Sequence, residues 1–150
     1  IPHNEVFRSW LLDRQDEHLA HAFILGRDGG VPLIYSDHNE SPHEADRDRC
    51  LEAWKRPDRA AMVRFHNAVH GTPMAMLQVS DTLLVFRRGE RGIVAINKAG
   101  FGQWAEFSTW GLENPGTYRE LIHGHEMALS GDRFGLFVPG RTAQMWLAGV

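Results

Sequence analysis

Gly29-Gly30-Val31-Pro32-Leu33-Ile34-Tyr35-Ser36-Asp37-His38-Asn39 opens on two glycines, continues through a run that is almost wholly apolar, and breaks into a polar loop. The run Val31 to Ser36 predicts one short strand, apolar on both faces. A half-exposed antiparallel strand alternates apolar with polar residues, so an unbroken run predicts a parallel strand covered on both sides. No other segment before residue 70 reads as a strand. The backbone donors and acceptors of a buried strand must be paired, so this one requires neighbours from elsewhere. The chain therefore reads as the end of something larger.

Two helices are predicted around that strand. From Asp16 to Leu25, Leu19, Ala22 and Phe23 recur at helical spacing, acids Asp16 and Glu17 occupy the first turn, and Gly26 stops the run. From Pro57 to His70, Pro57 suits the first helical position, Met62, Phe65 and Val69 form an apolar stripe, and Gly71 with Pro73 closes it. Cys50 to Trp54 reads as an extra helical turn, and Ile1 to Asp13 as a polar start followed by a short turn. From Thr72 the period changes to two. Strands are predicted at Met74–Val79, Thr82–Arg87, Gly92–Asn97, Gln103–Ser108, Tyr118–His123, Asp132–Val138 and Ala143–Ala148. Turn residues recur between them, which is the pattern of an antiparallel sandwich or barrel, and the first pair reads as a hairpin. The predicted fold class is thus α+β, with a boundary near Gly71 to Pro73.

Composition removes several function classes. A net charge of -3 provides no basic field for nucleic acid. No apolar run reaches the ~20 residues of a spanning helix, so no membrane partner is expected. The single cysteine, Cys50, excludes an internal disulfide framework and fits no zinc or redox motif. His18 with His21, His66 with His70, and His123 with His125 have ligand-like spacing, but no third ligand accompanies any pair, so no metal site is expected. The run His43-Glu44-Ala45-Asp46-Arg47-Asp48-Arg49 reads as a solvated face. It lacks the clustered oxygen ligands of a calcium loop, and its arginines would repel the ion.

Gly30-Val31-Pro32-Leu33-Ile34-Tyr35 resembles the Gly-x-Pro-x-x-Tyr segment of the eighth barrel strand in the α-amylase family, glycoside hydrolase family 13. His18-Leu19-Ala20-His21-Ala22-Phe23-Ile24-Leu25-Gly26 is similar to the helix before that strand, and Met62-Val63-Arg64-Phe65-His66-Asn67 to the helix after it. Ile1-Pro2-His3-Asn4 resembles the residues that follow the family's His-Asp motif. The resemblance spans the whole chain. It implies that residues 1–72 are the last strand and flanking helices of a truncated (β/α)8 barrel, and that 73–150 form an antiparallel β-sandwich C-terminal domain. It further implies a secreted enzyme cleaving α-1,4-glucans such as starch and maltooligosaccharides with retention. In such an enzyme one carboxylate attacks the sugar and a second, about 5 Å away, protonates the leaving oxygen. Both, with the aspartate of the His-Asp motif, would precede Ile1, so no catalytic residue is expected in this chain and its partner is the missing N-terminal barrel portion.

The sequence departs from the family at Asp37 and Asn39, where members commonly carry Gly and Glu. Pro32 stands where chloride-binding members carry Arg, so no chloride site is expected. No cofactor is expected here, while calcium belongs to upstream residues of the full-length enzyme. The substrate-binding candidates are Asn4, next to the expected aspartate, and Asp37 and His38, on a loop at the carboxyl end of the strand, where barrel enzymes place their sites. The alternative reading is a carbohydrate-binding β-sandwich module without catalysis. Trp104, Trp110 and Trp146 would be its stacking platform, with Trp104 and Trp146 pointing outward; the competing reading of these tryptophans is packing.

Overall fold

A computed structural model describes residues 14–33 and 56–149. Among the described residues two helices, α1 (Arg14–Gly26) and α2 (Pro57–Val69), precede eight strands. These are β1 (Met74–Val79), β2 (Leu83–Arg88), β3 (Gly92–Asn97), β4 (Gln103–Ser108), β5 (Gly116–Glu120), β6 (Glu126–Leu129), β7 (Arg133–Val138) and β8 (Thr142–Ala148). Six strands form one antiparallel sheet in the order β1-β2-β3-β8-β5-β6, and β4 pairs with β7 in a second. A bulge in β1 between Met76 and Gln78 shifts its register against β2.

Three layers result. Between the two sheets lie Leu83, Val85, Ile93, Tyr118 and Trp146 from the larger, and Ala105, Phe107, Leu136 and Val138 from the smaller. On the opposite face of the six-stranded sheet, Phe86, Val94, Met145 and Leu147 pack against Leu19, Ala22 and Leu25 of α1 and Met62, Phe65 and Val69 of α2. Helices and sheet therefore share one core across the predicted boundary. β3 is buried at every position and β8 at all but its first, because apolar layers cover both of their faces.

Two glycines set the helix-to-sheet approach. A Cβ on Gly92 would lie 2.9 Å from both Phe65 Cζ and Val69 Cγ1, and one on Gly26 would lie 3.0 Å from Val94 Cγ2. The helix ends are tied down by a buried arginine of β2. Arg88 Nη1 donates to the carbonyls of Gly26 and Arg27, both at 2.7 Å, and Nη2 to those of Val69 (3.1 Å) and Thr72 (3.0 Å). One side chain thus satisfies carbonyls that both helices leave free at their C-termini. Asn97 plays a similar part at the far end of β3. Its Nδ2 donates to the carbonyls of Phe101, Val138 and Pro139, and its Oδ1 accepts from Ala99 N and Gln103 Nε2.

Most predicted elements form within a residue or two of expectation, and the β1–β2 hairpin is present. Three expectations are corrected. Val31 to Leu33, the described part of the predicted strand, are not in a strand, and Val31 and Leu33 are 91% and 89% exposed; among the described residues neither sheet includes them. The strand predicted at Tyr118–His123 lies earlier, at Gly116–Glu120, because the buried Glu120 carboxylate accepts the backbone N–H groups of Ile122 and His123 and turns the chain there. The returning strand β6 was not predicted. Ile34 to Ser36, Ile1 to Asp13 and Cys50 to Trp54 lie outside the described residues, as does the charged run 43–49.

Candidate functional site

Asn4, Asp37 and His38, the predicted substrate-binding residues, all fall outside the described residues. Among the described residues no group of three or more His, Cys, Asp or Glu is placed to hold an ion. His18 Nδ1 lies 2.8 Å from Asp58 Oδ2, His21 Nδ1 2.8 Å from the Glu17 carbonyl, and His66 Nδ1 3.1 Å from that of Leu25. His123 Nδ1 is 3.0 Å from Glu120 Oε2.

These polar groups knit α1 to α2. Burial favours the neutral form of Asp58, but the His18 hydrogen bond and the neighbouring Arg59 guanidinium outweigh it and hold the carboxyl at about 2. Burial, reinforced by Arg59, lowers His21 to about 4, so its imidazole is neutral at pH 7. Burial likewise pushes the Tyr118 phenol up to about 12, its hydroxyl donating to the Glu113 carbonyl at 2.9 Å. All three act within the fold and point at no ligand.

The tryptophans divide differently. Trp146, expected to face outward, is 4% exposed. It projects between the two sheets and its Nε1 donates to Gln144 Oε1 at 3.2 Å. The expectation failed because both faces of β8 are covered, so alternation along it distinguishes two cores and not core from solvent. Trp104 does face outward and is 67% exposed, on the face of β4 turned away from the inter-sheet core. Directly across the pair stands Phe137, 45% exposed, with ring centroids 5.3 Å apart and planes at 55°. Phe137 was not singled out from the sequence, although the inward alternation of Phe134, Leu136 and Val138 places it on the outer face.

Four further residues complete that face in register, Glu106 opposite Gly135 and Ser108 opposite Arg133, all exposed. The ring of Phe137 lies so close over Gly102 that a Cβ there would come within 2.3 Å of its Cζ. Gln78 of β1 accepts from Glu106 N at 3.0 Å and holds the strand's free edge. Trp110, 80% exposed, stands apart, beyond the end of β4, with the Arg87 guanidinium 5.8 Å from its ring centroid. It borders a cavity of about 600 Å³ between the end of α2 and the β2–β3 turn, lined also by Pro73, Arg87, Glu90 and Arg91.

Residues 77–146 match a family described as alpha amylase, C-terminal all-beta domain. An alpha-amylase of Aeromonas hydrophila is 40% identical over 124 residues, 81% of this chain and 26% of that protein. The chain thus spans about a quarter of the length of that relative. Among solved structures, an alpha-amylase from Malbranchea cinnamomea shares the fold with a TM-score of 0.69 at 17% identity, covering 89% of this chain and 33% of that one. The alpha-amylase of Geobacillus thermoleovorans, complexed with acarbose, gives 0.64 at 15% identity over 91% and 34%. The expected resemblance holds: residues 77–146 match the C-terminal all-beta domain of alpha amylases, and the likeness to an alpha-amylase extends over 81% of the chain.

Proposed function

We propose that this chain is the C-terminal part of an α-amylase-like glycoside hydrolase that cleaves α-1,4-glucans with retention. The observation that carries the reading is the 40% identity over 124 residues, a match longer than the β unit after residue 72, which therefore runs into the helical part. In this reading residues 1–72 close a (β/α)8 barrel and 73–150 form the C-terminal β domain that shields its helices. The packing of α1 and α2 on the six-stranded sheet supports that role, because apolar side chains of both parts are buried in one core.

The reacting carboxylates come from the barrel portion that precedes Ile1, one as nucleophile and one as acid and then base. Asn4, Asp37 and His38 contribute hydrogen bonds to sugar hydroxyls, and the enzyme works outside the cell. Two assays test this. The 150-residue chain should release no reducing ends from soluble starch, whereas the protein that includes the preceding barrel should release them. The first product seen by proton NMR should then carry the α-anomeric configuration. Hydrolysis by the short chain, or a first-formed β-anomer, would overturn the proposal.

A further inference from the structure

The C-terminal end of α2 brings two imidazoles together. His66 stands in its last turn and His70 caps it, so the pair shares one side of the helix. Their ring centroids are 5.8 Å apart with planes tilted at 59°. An imidazole nitrogen binds a transition metal at about 2.0–2.1 Å, which puts each ring centroid roughly 3.2 Å from the ion and two of them roughly 5 Å apart in a tetrahedral site. The observed separation is slightly wider, and a turn of the exposed His70 ring closes it. The His66 ring is already oriented. A carbonyl can only accept, so the 3.1 Å bond to the Leu25 carbonyl places a proton on Nδ1 and leaves Nε2 of the neutral ring with its lone pair. Metal-bound imidazoles are supported in this way, one ring nitrogen donating to a carbonyl while the other binds the ion.

The surroundings favour a cation. Both rings border a cavity of about 450 Å³, together with Asp28, Gly29, Gly30 and Thr72. Helices α1 and α2 both end beside it, and a helix C-terminus carries partial negative charge. The Asp28 carboxylate adds a full charge, with Oδ2 accepting from Met74 N at 3.1 Å. The two arginines at the cavity are engaged elsewhere. Arg88 is committed to the four carbonyls described above, while Arg27 Nε donates to the Asp28 carbonyl at 3.1 Å and its guanidinium lies 5.9 Å from the Phe23 ring centroid. Gly29 and Gly30, at φ 73° and 71°, leave open space where a side chain would stand, which is room for the water ligands of an ion. The other described histidines are less suited. His18 and His21 are tied to Asp58 and to the Glu17 carbonyl within the α1–α2 contact, and the rings of His123 and His125 stack at 24° without converging.

We propose that His66 and His70 form a binding site for a divalent transition metal of the imidazole-preferring class, Cu²⁺, Ni²⁺ or Zn²⁺, with the Asp28 carboxylate beside the ion's water shell. Among the described residues no third side chain completes the set, so water fills the remaining positions. The ion fastens the last turn of α2 to its cap, next to the Val69 carbonyl that Arg88 holds. The site has no part in bond cleavage, and it stands whether or not the glucan reading does.

The test titrates the 150-residue chain, free of any polyhistidine tag, with Zn²⁺ and Ni²⁺ by isothermal calorimetry, with Mg²⁺ as the oxygen-preferring control. Zn²⁺ and Ni²⁺ should bind saturably, with one ion per chain in the tightest step, and Mg²⁺ should give no binding heat. His66→Gln and His70→Gln should each weaken that step about tenfold or more, and His123→Gln should leave it unchanged. Paramagnetic Ni²⁺ should broaden first the amide NMR signals of residues 28–30 and 66–72. The His70 ring is exposed, so His70→Gln should melt with the metal-free parent and carries the test even where loss of the Leu25 bond unsettles His66→Gln. Absence of saturable binding, a tightest step that His70→Gln retains, or first broadening around His123 and His125 overturns the proposal.

Discussion

Arg88 ties both helix ends to the sheet, since its guanidinium meets four carbonyls at or just beyond the ends of two helices. Burial lowers its pKa, but an arginine stays charged across the working range. Arg88→Met should take this donor from the carbonyls of Gly26, Arg27 and Thr72, while Val69 O keeps Thr72, and cost about 3 kcal/mol or more in urea denaturation. His21 sets a pH dependence. Its folded value near 4 lies below the unfolded 6.5, so between these values the unfolded chain binds the extra proton. Its contribution is complete above pH 6.5 and is lost as pH falls toward 4. Asp58 acts lower: its folded value near 2 lies beneath the unfolded 3.8, and its contribution fades as pH falls from 3.8 toward 2. His21→Gln should flatten the melting temperature profile between pH 6.5 and 4 while leaving the further loss below pH 4.

At the scale of elements, the close seat of α2 on β3 depends on a missing side chain. Gly92→Ala would set a Cβ 2.9 Å from Phe65 Cζ and Val69 Cγ1. Overpacking of this kind should cost about 1–3 kcal/mol, measured as a shift in urea midpoint at constant m-value. The helices and seven of the eight strands were legible in the sequence because spacing of apolar residues and turn glycines reports them directly. What the pattern reports, however, is cover and not direction. Ile93-Val94-Ala95-Ile96 is an unbroken apolar run in an antiparallel strand, doubly covered by helices and a second sheet. Val31-Pro32-Leu33 has the same look and is exposed and unpaired. β6 escaped notice because Glu126-Met127-Ala128-Leu129 is a short edge strand with only Leu129 fully buried. Of the candidate sites, Trp104 was readable from its alternation with Glu106, whereas its partnership with Phe137 depends on strand register, which no local pattern encodes.

The whole molecule is a stack of helices, six-stranded sheet and two-stranded sheet, and its middle layer is apolar on both sides. Residues 73–150 prepared alone would expose Phe86, Val94, Met145 and Leu147 to water. That truncated piece should self-associate in light scattering at concentrations where the 150-residue chain stays monomeric. The stacking order also fixes a length. Packed sheets stand about 10 Å apart, so the outer face of the β4–β7 sheet is separated from the helical side by at least that layer and the sheet beneath. A compact molecule can touch one side of the stack or the other. Only one long enough to reach around it can engage both, and then the second contact is intramolecular and gains from effective concentration. The thickness of the sandwich thus acts as a gauge of the length of whatever touches both of its sides.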